Sequence, residues 1–203
     1  DGKAVSTDYK LAFKWIKKAA KAGNNNAQYN LGLMYYKGQE VAKDYNRAFK
    51  WFKEAAKAGN SRAQNKLGVM YSRSQGTKID YKKAVRWYKK AAKGGNPVAQ
   101  SNLGIMYHEG RGVERDYRES RKWYREAAKS GYTTAIFNLG GIYFEGDGVE
   151  RNYEKALKYY KVAAEKGHPK AQNKLGMMYD KGQGVEKDYK KAFKWIKKAA
   201  NGG

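Results

Sequence analysis

The 203-residue chain is predicted to be all-α, a solenoid of helix-turn-helix units 36 residues long. Three observations predict it. The period never slips: Ala27, Ala63, Ala99, Ala135 and Ala171 are spaced by 36, as are Gly32, Gly68, Gly104, Gly140 and Gly176, and Tyr35, Tyr71, Tyr107, Tyr143 and Tyr179. Each period carries two apolar stripes at helical spacing, and glycines fall where those helices must stop.

The elements follow in chain order. Residues 1–7 match the loop phase of a unit, with Val5 at the phase of Val41. Residues 8–23 then form a second helix and match residues 188–203 at 13 of 16 positions. First helices begin a few residues before each periodic Ala. In "AQNKLGMMYDKG", Ala171, Leu175, Met178 and Tyr179 share one helical face, and "GQGV" breaks the helix. Second helices resemble "DYKKAFKWIKKAA", where Asp188 is the N-cap and Tyr189, Ala192, Phe193, Ile196, Ala199 and Ala200 form the stripe. Residues 1–23 are thus half a repeat, followed by full repeats at 24–59, 60–95, 96–131, 132–167 and 168–203, one solenoid over 1–203. Six second helices and five first helices are expected, about eleven in all. Both terminal helices keep core-type residues, a solubility liability for a solenoid end. Upstream truncation is the expectation, with end-to-end association the alternative.

A glycine inside every first helix needs a reason, since it costs roughly 1 kcal/mol against Ala there. Without a Cβ, the first helix can press close to the bulky Trp/Tyr face of the second. One unit cannot bury its own apolar face, so units stack and share a core.

The pattern "AQxxLGxMYxxGxGVxxDYxKAxxWYKKAA" resembles the Sel1-like repeat, a relative of the tetratricopeptide repeat, over essentially the whole chain. Departures are local: Glu40 and Ser74 replace loop glycines, Asn152 the capping Asp, and Ser120 and Arg121 an Ala and an apolar residue. The resemblance implies a right-handed superhelix whose first helices line a concave groove. It also implies a bacterial protein, periplasmic or secreted, that holds a partner protein as a scaffold or adaptor. A narrower form is an immunity protein that blocks a secreted toxin.

The formal charge is +24. Lys14, Lys50, Arg86, Lys122, Lys158 and Lys194 share one phase, and Lys17, Lys53, Lys89, Arg125, Lys161 and Lys197 another, making a cationic ladder on the second helices. Two functions fit. A protein partner with an acidic surface is the first, and a polyanion (nucleic acid, acidic lipid or polysaccharide) is the alternative. No aromatic is expected to interleave with the ladder. No run of apolar residues is long enough for a transmembrane helix.

No chemistry stands out. His108 and His168 lie sixty residues apart, the first on a variable face and the second at a helix start. No His/carboxylate cluster has metal-ligand spacing, so no metal or cofactor is expected. The GxG turns lack both a preceding strand and GK[ST], and Glu145, Asp147 and Glu150 are explained by a solvated turn. Absence of Cys separates the chain from the Cys-rich β-lactam-binding members of the family. No enzyme activity is expected.

The repeat supplies its own control for a binding site. Of 29 aromatic residues, 24 lie at phases that are mostly apolar, and those are expected in the core. Tyr29, Tyr36, Tyr132, Phe137 and Phe144 do not. Tyr29 and Phe137 share a phase, as do Tyr36 and Phe144, seven residues further on. Between them the phase varies as Leu33, Val69, Ile105, Gly141 and Met177. With His108, these residues are the candidate partner-binding set, and Gly141 is expected to leave a recess between the Phe137 and Phe144 rings. The alternative is packing, with Ile136 and Phe137 filling space left by Ser120 and Arg121.

Overall fold

The computed structural model describes residues 2–202, with side chains from Leu11 onward. Eleven helices and no strand occur among the described residues: α1 (Gly2–Lys21), α2 (Asn25–Lys37), α3 (Tyr45–Lys57), α4 (Ser61–Arg73), α5 (Tyr81–Lys93), α6 (Pro97–Glu109), α7 (Tyr117–Lys129), α8 (Thr133–Glu145), α9 (Tyr153–Glu165), α10 (Pro169–Lys181) and α11 (Tyr189–Asn201). Two compact units divide them. One holds residues up to 99 with loop residues 111–114, the other residues 100–110 with 115 onward.

Within both units the same local rules hold. The capping residue before α3, α5, α7, α9 and α11 accepts a hydrogen bond from the first-turn backbone, as Asp188 does from Lys191 N at 2.8 Å. Asn152 performs the same task for α9, accepting from Lys155 N at 2.8 Å. Each cap also donates its own N–H to the Tyr carbonyl near the end of the preceding first helix: Asp44 to Tyr35, Asp116 to Tyr107, Asn152 to Tyr143 and Asp188 to Tyr179. This bond folds the second helix back along the first. Glu40 and Ser74, standing where the pattern has Gly, keep the left-handed backbone with φ of 59° and 56°, at a cost of roughly 1 kcal/mol or more each.

The helical glycines mark the closest approach. A Cβ at Gly104 would stand 2.6 Å from Tyr124 Cε1, one at Gly140 2.7 Å from Tyr160 Cδ1, and one at Gly176 2.7 Å from Ile196 Cγ1. Gly32 meets Phe52 in the same way. The side chain met is therefore never the periodic Trp but the residue after it, a ring in each case but Ile196. Trp51, Trp87, Trp123, Tyr159 and Trp195 are only partly buried.

Two expectations are corrected. α1 begins at Gly2, so residues 2–7 of the expected loop phase are helical. The side chains of Val5, Asp8 and Tyr9 lie outside the described residues. Not every periodic aromatic is core: Trp15 on α1 and Tyr189 and Phe193 on α11 are 58%, 66% and 68% exposed. Each stands on a terminal helix that has a neighbouring helix on one side only.

The glycine doublet of α8 gives a paired test. Gly140→Ala drives a Cβ into Tyr160 and is expected to lower the unfolding free energy by about 1–3 kcal/mol. Gly141→Ala meets nothing closer than Tyr160 Oη at 3.8 Å and is expected to raise it by roughly 0.5–1 kcal/mol through helix propensity. Urea denaturation of the two variants measures both signs.

Candidate partner-binding site

Phe137 and Phe144 are half-buried, and both lean on the ring that Gly140 brings close. Phe137 lies 5.5 Å from Tyr160 and stacks on His168 at 4.8 Å with 19° between planes. Phe144 lies 5.1 Å from Tyr153 and 6.2 Å from Tyr160. Tyr29 and Tyr36 repeat the arrangement in the first unit, at 5.7 and 6.2 Å from Phe52, with Tyr36 5.2 Å from Tyr45. These off-phase aromatics are tilted ring partners of the second helix, so packing explains much of their presence. The space they fill is not that of Ser120 and Arg121. Ser120 is fully buried, and the Arg121 guanidinium donates to Gly148 O at 3.3 Å.

Ile136 answers to a different need. At its phase Gln28, Gln64 and Gln172 each donate Nε2 to a carbonyl of the preceding second helix, Ala20, Ala56 and Ala164, at 3.1–3.2 Å. Ile136 replaces that bond with apolar packing against Ala163, Ala164, Ala171 and Leu175, and is 6% exposed. Tyr132 takes the N-cap position of α8, makes no side-chain cap, and packs on the core formed by Tyr124, Ala127, Leu139 and Ile142.

A recess does open beside Gly141, of about 310 Å³, but it lies between α6 and α8 rather than between the two Phe rings. Ile105, Phe137 and Tyr124 supply its apolar wall, and His108, Asn138, Glu109, Glu145 and Asp147 its polar rim. Four candidates, Ile105, His108, Phe137 and Gly141, meet there. Phe144 does not line it, and Met177 lies on α10. Leu33 and Val69 lie in the first unit, where Leu33, Tyr29 and Tyr36 pack on the core around Phe52. Tyr29 also borders a polar hollow with Asn26, Asn60 and Arg62.

The rim is organised. His108 Nε2 lies 2.8 Å from Asp147 Oδ2, and its ring stands edge-on to Tyr117 at 5.2 Å. Asp147 is therefore a partner of His108 and not a solvated turn residue. Burial pushes the Tyr124 phenol well above its ordinary range, so it stays protonated at the floor. Among the described residues, no Ser, Thr or Cys lines the recess.

The second-helix cations are arranged differently from the expectation. Lys14, Lys50, Arg86, Lys122, Lys158 and Lys194 are exposed, as are most of their companions. Aromatics do interleave with them, because the Trp phase is half-exposed. Yet the rings already carry lysines of their own helices, with Lys90 Nζ 4.8 Å from Trp87 and Lys198 Nζ 5.3 Å from Trp195. Lys122 is paired with Glu119 at 2.9 Å.

A family model described as the Sel1 repeat matches residues 1–24, 25–60, 61–96, 97–132, 133–168 and 169–203. The chain belongs to the Sel1 repeat family. Sel1 repeats generally serve protein–protein interaction and form non-catalytic scaffolds. Among solved structures, a protective antigen of uropathogenic Escherichia coli with an SLR fold is 44% identical, with a TM-score of 0.86 over 93% of this chain. This chain spans 40% of that antigen. A Sel1 repeat protein from Oxalobacter formigenes is 35% identical over 98% of this chain and 84% of its own, with a TM-score of 0.87. An immunity protein from Pseudomonas aeruginosa, 24% identical over 94% of this chain and 73% of its own, shares the Sel1 fold with a TM-score of 0.64. No curated protein matches the chain.

In this Sel1 array His168 serves as N-cap of α10, its Nδ1 accepting from Ala171 N at 3.2 Å. Burial first, and then Lys170, lowers its pKa below 6.5. The unfolded chain thus takes up this proton before the folded one. The stability it contributes is complete above about pH 6.5 and is lost as pH falls through the folded value. His168→Asn, with the cap residue found at Asn24 and Asn60, is expected to remove this part of the slope between about pH 7.5 and 5.5, measured as urea midpoints. Phe137→Ala is expected to lower the unfolding free energy by about 2 kcal/mol, because the ring supports Tyr160 and His168.

Proposed function

We propose that this chain is a non-catalytic protein-interaction module whose partner docks on α6 and α8, with the recess at Gly141 as the anchor pocket. One observation carries the reading. Every other unit places Leu33, Val69, Ile105 or Met177 at this phase, whereas Gly141 leaves space against an aromatic wall. Pockets that take an anchor side chain are of this kind, concave, mostly apolar and edged with a few polar groups. The recess lies at the lower end of the usual range of about 300–1,000 Å³, enough for a side chain rather than a large ligand.

Gly141→Leu is the variant of choice. It introduces the residue found at position 33, and a Cβ at Gly141 meets nothing closer than 3.8 Å. Affinity capture at about 0.5 M salt, where exposed charges are screened within a few ångströms, compares it with the unaltered chain after nuclease treatment. The expected outcome is a protein retained by the unaltered chain and lost from the variant, with melting unchanged or raised. Identical capture by both contradicts the reading. Capture only at low salt, abolished by nuclease, transfers the function to the cations of the second helices.

A further inference from the structure

The α6–α8 recess differs from its neighbours in charge as well as in space. At one phase the array reads Lys37, Arg73, Glu109, Glu145 and Lys181, and at another Gln39, Gln75, Arg111, Asp147 and Gln183. Three carboxylates therefore gather at the recess of a chain whose net charge is +24, and none of the other units has an acid at either phase.

The equivalent grooves show what belongs there. Between α2 and α4, Lys66 reaches back so that its Nζ lies 5.0 Å from the Tyr36 ring. Between α8 and α10, Lys174 Nζ lies 5.0 Å from the Phe144 ring. At α6–α8 the corresponding residue is Asn138, too short to reach, and the corresponding ring is His108. The polar bond beside it is retained: Tyr36 Oη donates to Gln75 Oε1 at 2.9 Å, where His108 meets Asp147 at 2.8 Å. Two grooves are thus filled by a lysine of the chain itself, whereas the α6–α8 recess has Asn138 at that phase, as α6 has Asn102, and it alone adds the carboxylates.

Electrostatics sharpen the contrast. Lys66 has its pKa lowered by burial and then by Lys37 and Arg73. Those two cations occupy the phases of Glu109 and Glu145. The same place in the α6–α8 recess is flanked by carboxylates, which favour a cation there.

We propose that this recess receives a basic side chain of the partner protein, lysine foremost, in the place that Lys66 and Lys174 take in the neighbouring grooves. The inference rests on the docking reading above. The aliphatic stem lies against Ile105 and Phe137 over Gly141, and the ammonium meets Glu145 and Asp147. The surplus positive charge elsewhere repels a broadly basic surface. The fitting partner therefore presents one lysine or arginine on a neutral or acidic surface.

The probe is N-acetyl-lysine N-methylamide, titrated into the full chain and followed by amide chemical shifts, with the norleucine analogue as the uncharged isostere. Saturable shifts at Asn138, Gly141 and Ile142 are expected, and the norleucine analogue should bind roughly tenfold or more weakly. Both Gly141→Leu and Glu109→Lys/Glu145→Lys, which restores the charges of the first unit, should abolish them. Equal binding of norleucine, or shifts that persist in Gly141→Leu, would overturn the proposal. The capture assay separates the two levels. A partner lost from Gly141→Leu but kept by Glu109→Lys/Glu145→Lys leaves docking intact and removes the basic side chain. A probe that binds the recess while capture ignores both variants overturns docking itself.

Discussion

The contact between a helical glycine and a second-helix ring sets the rest of the structure. At Gly104 and Gly140 the missing Cβ lets Tyr124 and Tyr160 lie flush against the neighbouring backbone. A glycine in mid-helix is unfavourable by itself, so close packing has to offset it in every unit. Once the two helices meet along that line, the remaining faces have no choice. The residue after each glycine, the phase of Leu33 and Gly141, turns to the first-helix surface. The residue before each ring, the phase of Trp51 and Trp87, turns outward among lysines.

This division explains why the two glycines of α8 do different things. Gly140 is required by Tyr160. Gly141 has no neighbour closer than 3.8 Å and leaves space that a side chain fills in every other unit. The neighbouring side chains agree with that reading. Phe137 is held by Tyr160 and His168 so that its ring walls the recess, and His108 is held by Asp147 and Tyr117 at its rim. A cavity framed by restrained side chains keeps its shape without a ligand, which lowers the ordering cost of binding.

Most of the fold was legible because a period of 36 with its glycines, caps and alanine pairs leaves one arrangement of helices. The recess was legible only in part. Gly141 stood out by phase, but phase alone does not tell which neighbour a ring leans on, so Phe144 was grouped with it although it packs on Tyr153. Ile136 was linked to space left by Ser120 and Arg121, yet its phase is a buried one where Gln64 and Gln172 bond a preceding carbonyl. Glu145 and Asp147 were hidden by assigning them, with Glu150, to a solvated turn, and Glu109 was passed over. The signal was present in the repeat, as the replacement of Lys37, Arg73 and Gln75 by acids at matching phases. Tyr124 and Asn138 carried no such mark, since their phases are ordinary.

Hydrogen exchange of the chain with and without its captured partner tests the account most directly. The proposed docking face lies on α6 and α8, while the cations lie on the second helices. Added protection of backbone amides within residues 100–109 and 133–147, with α7, α9 and α11 unchanged, is the predicted result. Protection centred on the lysine-bearing faces of the second helices, with α8 unaffected, would contradict it.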